Sequence, residues 1–190
     1  MAIVINGTGS MSGISVGGLP DSIVDAGTLA TNAVTAAKLE VSAITGADLP
    51  AGTILQVKFV EDNSSQTVAT DTNNGAATNL SIAITPIATS SKILALWNMQ
   101  YEMPNSNAGT GLGMILMRGS SRAWQSGYTW VDVGSNAGPG KHRASWQWLD
   151  SPSTTSAVTY TVHAITEGGG AVSLNTNNNK SELTLMEIAG

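Results

Sequence analysis

Three consecutive ten-residue segments, 22–31 (SIVDAGTLAT), 32–41 (NAVTAAKLEV) and 42–51 (SAITGADLPA), each carry a β-branched apolar residue third and leucine eighth. The anchors Val24, Leu29, Val34, Leu39, Ile44 and Leu49 are therefore spaced by five. In an α-helix successive anchors would diverge by about 140°, because each residue advances about 100°. In a strand an odd spacing sends alternate anchors to opposite faces. Neither element buries the set on one side, so each segment reads as a short turn or half-helix stepping along an axis. A unit with two apolar anchors makes no core by itself, and repeats of this kind bury themselves against neighbours. The natural neighbours are identical chains, and the six anchors are the expected stalk contacts of a homotrimer.

Composition narrows the possible partners. Charged residues make up 11% of the 190-residue chain, against roughly a quarter in typical globular proteins. The net charge of -5 repels phosphate backbones and anionic membranes, so nucleic-acid binding is not expected. The absence of cysteine removes disulfide frameworks, thiolate zinc sites and cysteine nucleophiles together. No stretch approaches the roughly 20 apolar residues of a membrane span, so membrane insertion is not expected. The opening MAIVINGTGS lacks the charged and apolar regions of a signal peptide. Synthesis in the cytoplasm is the expectation.

The chain changes grammar twice. Residues 1–20 hold a short apolar strand candidate (Ile3, Val4, Ile5), then Gly/Ser-rich sequence broken by Gly17, Gly18 and Pro20. The repeat occupies 21–51, and Pro50 with Gly52 marks its end. From Thr53 the apolar residues alternate with period two, as in half-buried strands. Leu55, Val57 and Phe59 are expected on one face of the first strand, Leu80, Ile82 and Ile84 on one face of another. Ile93, Ala95, Trp97, Met99 and Tyr101 form the longest alternating run. Further strands are expected at 113–118, 122–131, 142–149, 157–165, 170–175 and 182–188, with turns at Asn74-Gly75 and Ser151-Pro152 among others. About nine or ten strands without an intervening helical period predict a mainly β chain whose residues 52–190 form an antiparallel β-sandwich or jelly roll.

The opening MAIVINGTGS with GISVGGLP, the AVTAAKLE segment, AGTILQV at 51–57, SSKILAL at 90–96 and the ending LTLMEIAG resemble, in that order, fibre-type virion proteins of bacteriophages, especially cyanobacterial and marine phages. The resemblance implies an N-terminal segment (Ile3, Val4, Ile5) that attaches to another virion protein of the tail, baseplate or capsid. It also implies a thin trimeric shaft, a C-terminal knob and a location in the virion after assembly in the host cytoplasm. A tail fibre presenting its knob to host-surface polysaccharide is the first reading. A head fibre or capsid decoration protein is the second, because three decapeptides make a short shaft.

Catalytic readings find little support in the residue pattern. His142 and His163 show no H-x-x-x-H or H-E-x-x-H spacing, and they read as a solvated basic cluster with Lys141 and Arg143, and as a surface or inter-subunit side chain, respectively. The run GSNAGPGKH at 134–142 lacks the hydroxyl that a phosphate loop needs after lysine, and Pro139 donates no N–H. Asp71-Thr72-Asn73-Asn74-Gly75 brings its glycine one place early for an EF-hand and reads as a turn. A glycan depolymerase needs two acids within about 10 Å across a sugar, and the acids here fall mostly in the repeat or at strand ends, so a glycan depolymerase spike is the third and least favoured reading. No enzyme activity, metal or cofactor is expected. Four of five tryptophans fall between 124 and 148. Trp97, Trp146 and Trp148 read as core or interface, while Trp124, Tyr128 and Trp130, amid polar neighbours, are the candidate glycan and receptor residues, since aromatic faces stack on sugar rings.

Overall fold

The period-two alternation becomes, among the described residues, eleven strands in a computed structural model of the chain. The structure describes residues 31, 34–35, 44–69, 73–103, 111–127, 129–130, 140–167 and 171–190, of which 47, 129, 130 and 167 by backbone alone. Two compact units divide the chain, Met1–Ile44 and Thr45–Gly190, and the strands all belong to the second. They are β1 (Ile54–Asp62), β2 (Gln66–Val68), β3 (Ala76–Ile84), β4 (Lys92–Met103), β5 (Gly111–Arg118), β6 (Ser121–Gln125), β7 (Thr129–Trp130), β8 (Gly140–Asp150), β9 (Val158–Glu167), β10 (Val172–Leu174) and β11 (Ser181–Ile188).

All pairings are antiparallel. A six-stranded sheet runs β1-β11-β4-β10-β2, with β8 on the other edge of β4, and a five-stranded sheet runs β3-β9-β5-β6, with β7 also on β5. Their inner faces share one core, so the expected antiparallel sandwich is the observed one. Strand β4 lies at its centre because its alternation is unbroken: Ile93, Ala95, Trp97, Met99, Tyr101 and Met103 are each at most 4% exposed. Burying one large side chain of this kind contributes about 1.5–3 kcal/mol. Across the core stand Leu80 and Ile84 of β3, Leu112, Met114 and Leu116 of β5, and Tyr160 and Val162 of β9. Strand β5 is buried on both faces, since Ile115 and Met117 join Ile165 in a second small cluster.

Three expectations are corrected. Leu55, Val57 and Phe59 do not share a face, because a bulge between Ile54 and Gln56 inserts one residue and reverses the parity that follows. Leu55 is half-buried, whereas Val57 and Phe59 are 53% and 54% exposed. The segment expected as one strand over 122–131 is two, β6 and β7, parted around Gly127. His142 is not a fully solvated side chain beside Lys141 and Arg143 but is half-buried. It stacks on Tyr101 at 5.3 Å, and its Nε2 is buried without a partner among the described residues. His163 accords with its surface reading, half-buried with Nδ1 2.7 Å from the Asn74 carbonyl oxygen.

Polar groups fix the register at three places. Arg118 donates to both oxygens of Asp150 at 3.0 and 2.9 Å, and Tyr160 donates to Asp150 Oδ2 at 2.7 Å, tying the two sheets together. Glu187, fully buried, accepts from Gln56 Nε2 at 2.5 Å and from the Ile87 N–H at 2.7 Å. Asn175, at φ 54°, donates to Asp62 Oδ2 at 2.9 Å and accepts from Ser181 Oγ, whose oxygen in turn accepts the Gln100 N–H at 3.1 Å. Buried polar groups left unpaired would each cost about 1–3 kcal/mol, so these partners stabilise one strand arrangement over its slips. Gly75, expected in a turn, sits at φ 62°, and a Cβ there would lie 2.5 Å from the Ala164 carbonyl oxygen.

The third decapeptide holds one 3-10 turn, Gly46–Asp48. Thr45 caps it: its N–H and hydroxyl donate to Asp48 Oδ2 at 2.8 and 2.6 Å, and the Asp48 N–H donates to the Thr45 carbonyl at 3.0 Å. The hydroxyl bond, then the backbone bond, holds the Asp48 carboxyl below its usual range. A capped turn between Ile44 and Leu49 accounts for their five-residue spacing. The equivalent positions in the other two segments are Asp25 and Thr35, residue types that also cap.

Candidate functional site

The β4–β8 register sets Trp97 opposite Trp146 and Ala95 opposite Trp148. Directly paired residues share a face, so Trp146 and Trp148 point inward with Trp97. The Trp97 and Trp146 rings stack at 6.3 Å and 19°, and Trp124, from β6 of the other sheet, meets Trp97 edge-on at 5.2 Å and 76°. Trp97 is 2% exposed, and its Nε1 lacks a partner among the described residues. Trp146 is half-buried, while Trp148 is 39% exposed. Trp148 stands on an edge strand, since β8 pairs only with β4 among the described residues; it is not core in the isolated chain, which leaves the interface half of its reading.

An open hollow of about 590 Å³ adjoins this cluster, lined by Leu96, Trp97, Asn98, Trp124, Ser145, Trp146, Gln147, Glu182 and Thr184. Asn98 pairs with Ser145 on one side and Glu182 on the other, and Leu96 with Gln147 and Thr184. These six belong to the outer face of the six-stranded sheet. Across them runs a polar ladder. Arg143 Nη1 donates to Asn98 Oδ1 at 2.6 Å, Asn98 Nδ2 donates to Glu182 Oε2 at 2.7 Å, and Arg143 Nη2 donates to the Lys180 carbonyl at 2.6 Å. Glu61, opposite Glu182, is held by Lys180 Nζ at 2.5 Å. The indoles of Trp97 and Trp146 and this polar ladder stand on opposite faces of the six-stranded sheet. Both acids are engaged by donors. Among the described residues no group of three or more His, Asp or Glu could hold a metal ion.

Of the nominated receptor residues, Trp124 is half-buried on β6 against Trp97, Trp130 lies by its backbone on β7 opposite Gly111, and Tyr128 is outside the described residues. The break at Gly127 separates Trp124 from Trp130, so one strand does not carry both. Of the nominated stalk contacts, Val34, Ile44 and Leu49 are 53%, 56% and 37% exposed in the single chain. Val24, Leu29 and Leu39, with Ile3, Val4 and Ile5, lie outside the described residues. Sequence reasoning missed Asn98, Arg143 and Glu182. They come from three strands up to 84 positions apart, and no local signal joins them.

No family model matches the chain, and no curated protein matches it. Among solved structures, it is similar to dimeric latent PorU from Porphyromonas gingivalis, with 14% identity over 77% of this chain and 14% of that one, TM-score 0.36. It is also similar to the infectious bursal disease virus VP2 subviral particle, with 10% identity over 72% of this chain and 40% of that one, TM-score 0.36. The chain spans less than half the length of these structures. At such scores the fold rests on the strand pairing itself.

Proposed function

We propose that this chain is a non-enzymatic structural protein of the phage-fibre class, working in the virion as a homotrimer. Residues 1–20 attach it to another virion protein, the decapeptides form a thin shaft, and the sandwich is the knob presented to the host surface as in a tail fibre. The observation that carries this reading is the repeat. Its described anchors Val34, Ile44 and Leu49 are exposed in the single chain, as side chains waiting for copies of themselves would be. The fibre-like order of segments from MAIVINGTGS to LTLMEIAG supports the virion assignment. A head fibre or decoration protein is the second reading, favoured by the shortness of the repeat. Gold-labelled antibody on intact virions separates them: label on the tail supports the first, label on the head the second, and unlabelled particles contradict both.

A further inference from the structure

Phe59 is the chain's sole phenylalanine, and it stands 54% exposed on the outer face of the six-stranded sheet. It has apolar company. Ile54 pairs with Ile188, and Val57 with Met186, which pairs with Leu94, which pairs with Leu149. These residues form two adjacent rows, the longer crossing four strands. Ile54, Val57 and Leu149 are 54%, 53% and 45% exposed, and Leu94, Met186 and Ile188 are half-buried. A monomer rarely exposes a contiguous apolar patch of more than a few hundred Å². Alternation on the two faces of an antiparallel sheet normally leaves one side polar; here the rows nearest the chain entry are apolar except for Lys92, which pairs with Ile188, and the rows farther along turn polar. Phe59 and Leu96 share the next row with Thr184 and Gln147, and the row beyond is wholly polar: Glu61, Glu182, Asn98 and Ser145.

The face is therefore graded along the strands, and the direction of the grading identifies the occupant. The compact unit begins at Thr45. Its first residues are fastened at the apolar end, where the Gly52 N–H donates to the Ala189 carbonyl and the Ala189 N–H to the Thr53 carbonyl, each at 2.8 Å. The chain therefore enters this unit at that end. Copies held together by the repeat would have their sandwiches tethered by these ends, at an effective concentration in the millimolar range. Surfaces nearest the tether then meet other copies, while surfaces farther along splay into water. An outside ligand would impose no such ordering on the rows.

We infer that the outer face of the six-stranded sheet is the surface by which sandwiches of this chain pack on one another, with the rows Ile54–Ile188 and Val57–Met186–Leu94–Leu149 turned toward the oligomer axis. This rests on the self-association proposed above. The lack of cysteine gives a clean test in the full chain. A spin label is placed at Val57→Cys or, as control, at Ala83→Cys on the exposed face of the other sheet, and inter-copy distances are read by pulsed dipolar spectroscopy.

Packed sheets lie about 10 Å apart, so labels at 57 should approach within about 20 Å after allowing for their arms. A domain of this size has a radius of gyration near 15 Å, which places labels at 83 beyond about 30 Å. A second measurement avoids the label: Val57→Asp should raise the concentration at which the oligomer dissociates at least about tenfold, and Ala83→Asp should leave it unchanged, because unpaired charge is costly only where it is buried. An intact oligomer with distances at 57 beyond about 30 Å and equal dissociation of the two Asp variants overturns the inference and leaves the repeat as the sole contact. Val57→Asp that keeps the assembly but abolishes binding to host cells assigns the face to an outside partner, and also overturns it. A chain that is monomeric by light scattering, with no dipolar coupling at either position, overturns the inference and the trimer together.

Discussion

Tyr160 donates its phenolic hydroxyl to Asp150 Oδ2 at 2.7 Å, and that bond crosses from one sheet of the sandwich to the other. Asp150 closes β8 at the edge of the six-stranded sheet, while Tyr160 is fully buried on β9 of the five-stranded one. Arg118, at the end of β5, completes the link through both carboxylate oxygens. The charged pair thus sits where the sheets could otherwise slide.

Removing the hydroxyl should show what the link contributes. Tyr160→Phe should destabilise the fold by about 2 kcal/mol near neutral pH, the range for a hydrogen bond to a charged partner. Burial, and then the Asp150 carboxylate, raise the Tyr160 hydroxyl well above the ordinary phenol range. A raised value means that the native state keeps a proton the unfolded chain releases. The contribution is complete below the unfolded phenol value of about 10 and falls as pH rises above it. Thermal melts from pH 8 to 11 should therefore show an alkaline decline in the parent chain that is shallower in Tyr160→Phe. Tyr101, raised by burial, supplies part of the slope that remains.

Asn175 separates backbone from side-chain effects. Its left-handed φ of 54° costs a residue with a Cβ about 1–2 kcal/mol, and its amide bridges Asp62 and Ser181. Chemical denaturation should find Asn175→Ala destabilised by about 3 kcal/mol, with Asn175→Gly recovering about 1 of them because only the backbone penalty is relieved. Equal losses would mean that the hydrogen bonds alone matter.

The tryptophans divide by depth. Trp97→Ala should cost about 3–5 kcal/mol, as large-to-small changes in a packed core do. Trp148→Ala, at 39% exposure, should cost less than about 1.5 kcal/mol in the isolated chain. Trp124→Ala should fall between them, since the ring is half-buried edge-on against Trp97. If this variant keeps its melting temperature and loses binding to host cells or extracted envelope polysaccharide, the ring serves a ligand rather than the core.

How much of this was legible follows from the range of each signal. The alternation of Ile93, Ala95, Trp97, Met99 and Tyr101 announces β4 because a half-buried strand has a period readable within a few residues. The run from Gly113 to Arg118 was equally readable as β5. A single inserted residue at Leu55 defeats the same reasoning in β1, because parity after a bulge depends on the partner strand. The short β2, three residues long, has too little pattern to announce itself. Links such as Arg118 with Asp150, or Asn98 with Glu182, join strands that only the sheet order brings together. For the candidate site, sequence located the tryptophan-rich region and the register located its polar companions.

Within the repeat, position should outweigh charge. Leucine holds the eighth place of each segment, whereas the seventh varies through Thr28, Lys38 and Asp48. Leu39→Asp should dissociate the oligomer on gel filtration and lower its melting temperature, because like charges brought together out of water cost several kcal/mol. Lys38→Asp should leave both nearly unchanged. Equal behaviour of the two variants would show that the leucines do not face the axis.

The most direct test of the self-association on which the fibre reading depends is the mass of the full-length particle in solution, measured by multi-angle light scattering at micromolar concentration with circular dichroism confirming the folded sandwich. The predicted result is three times the 19.4 kDa of one chain, and a folded particle with the mass of a single chain would contradict it.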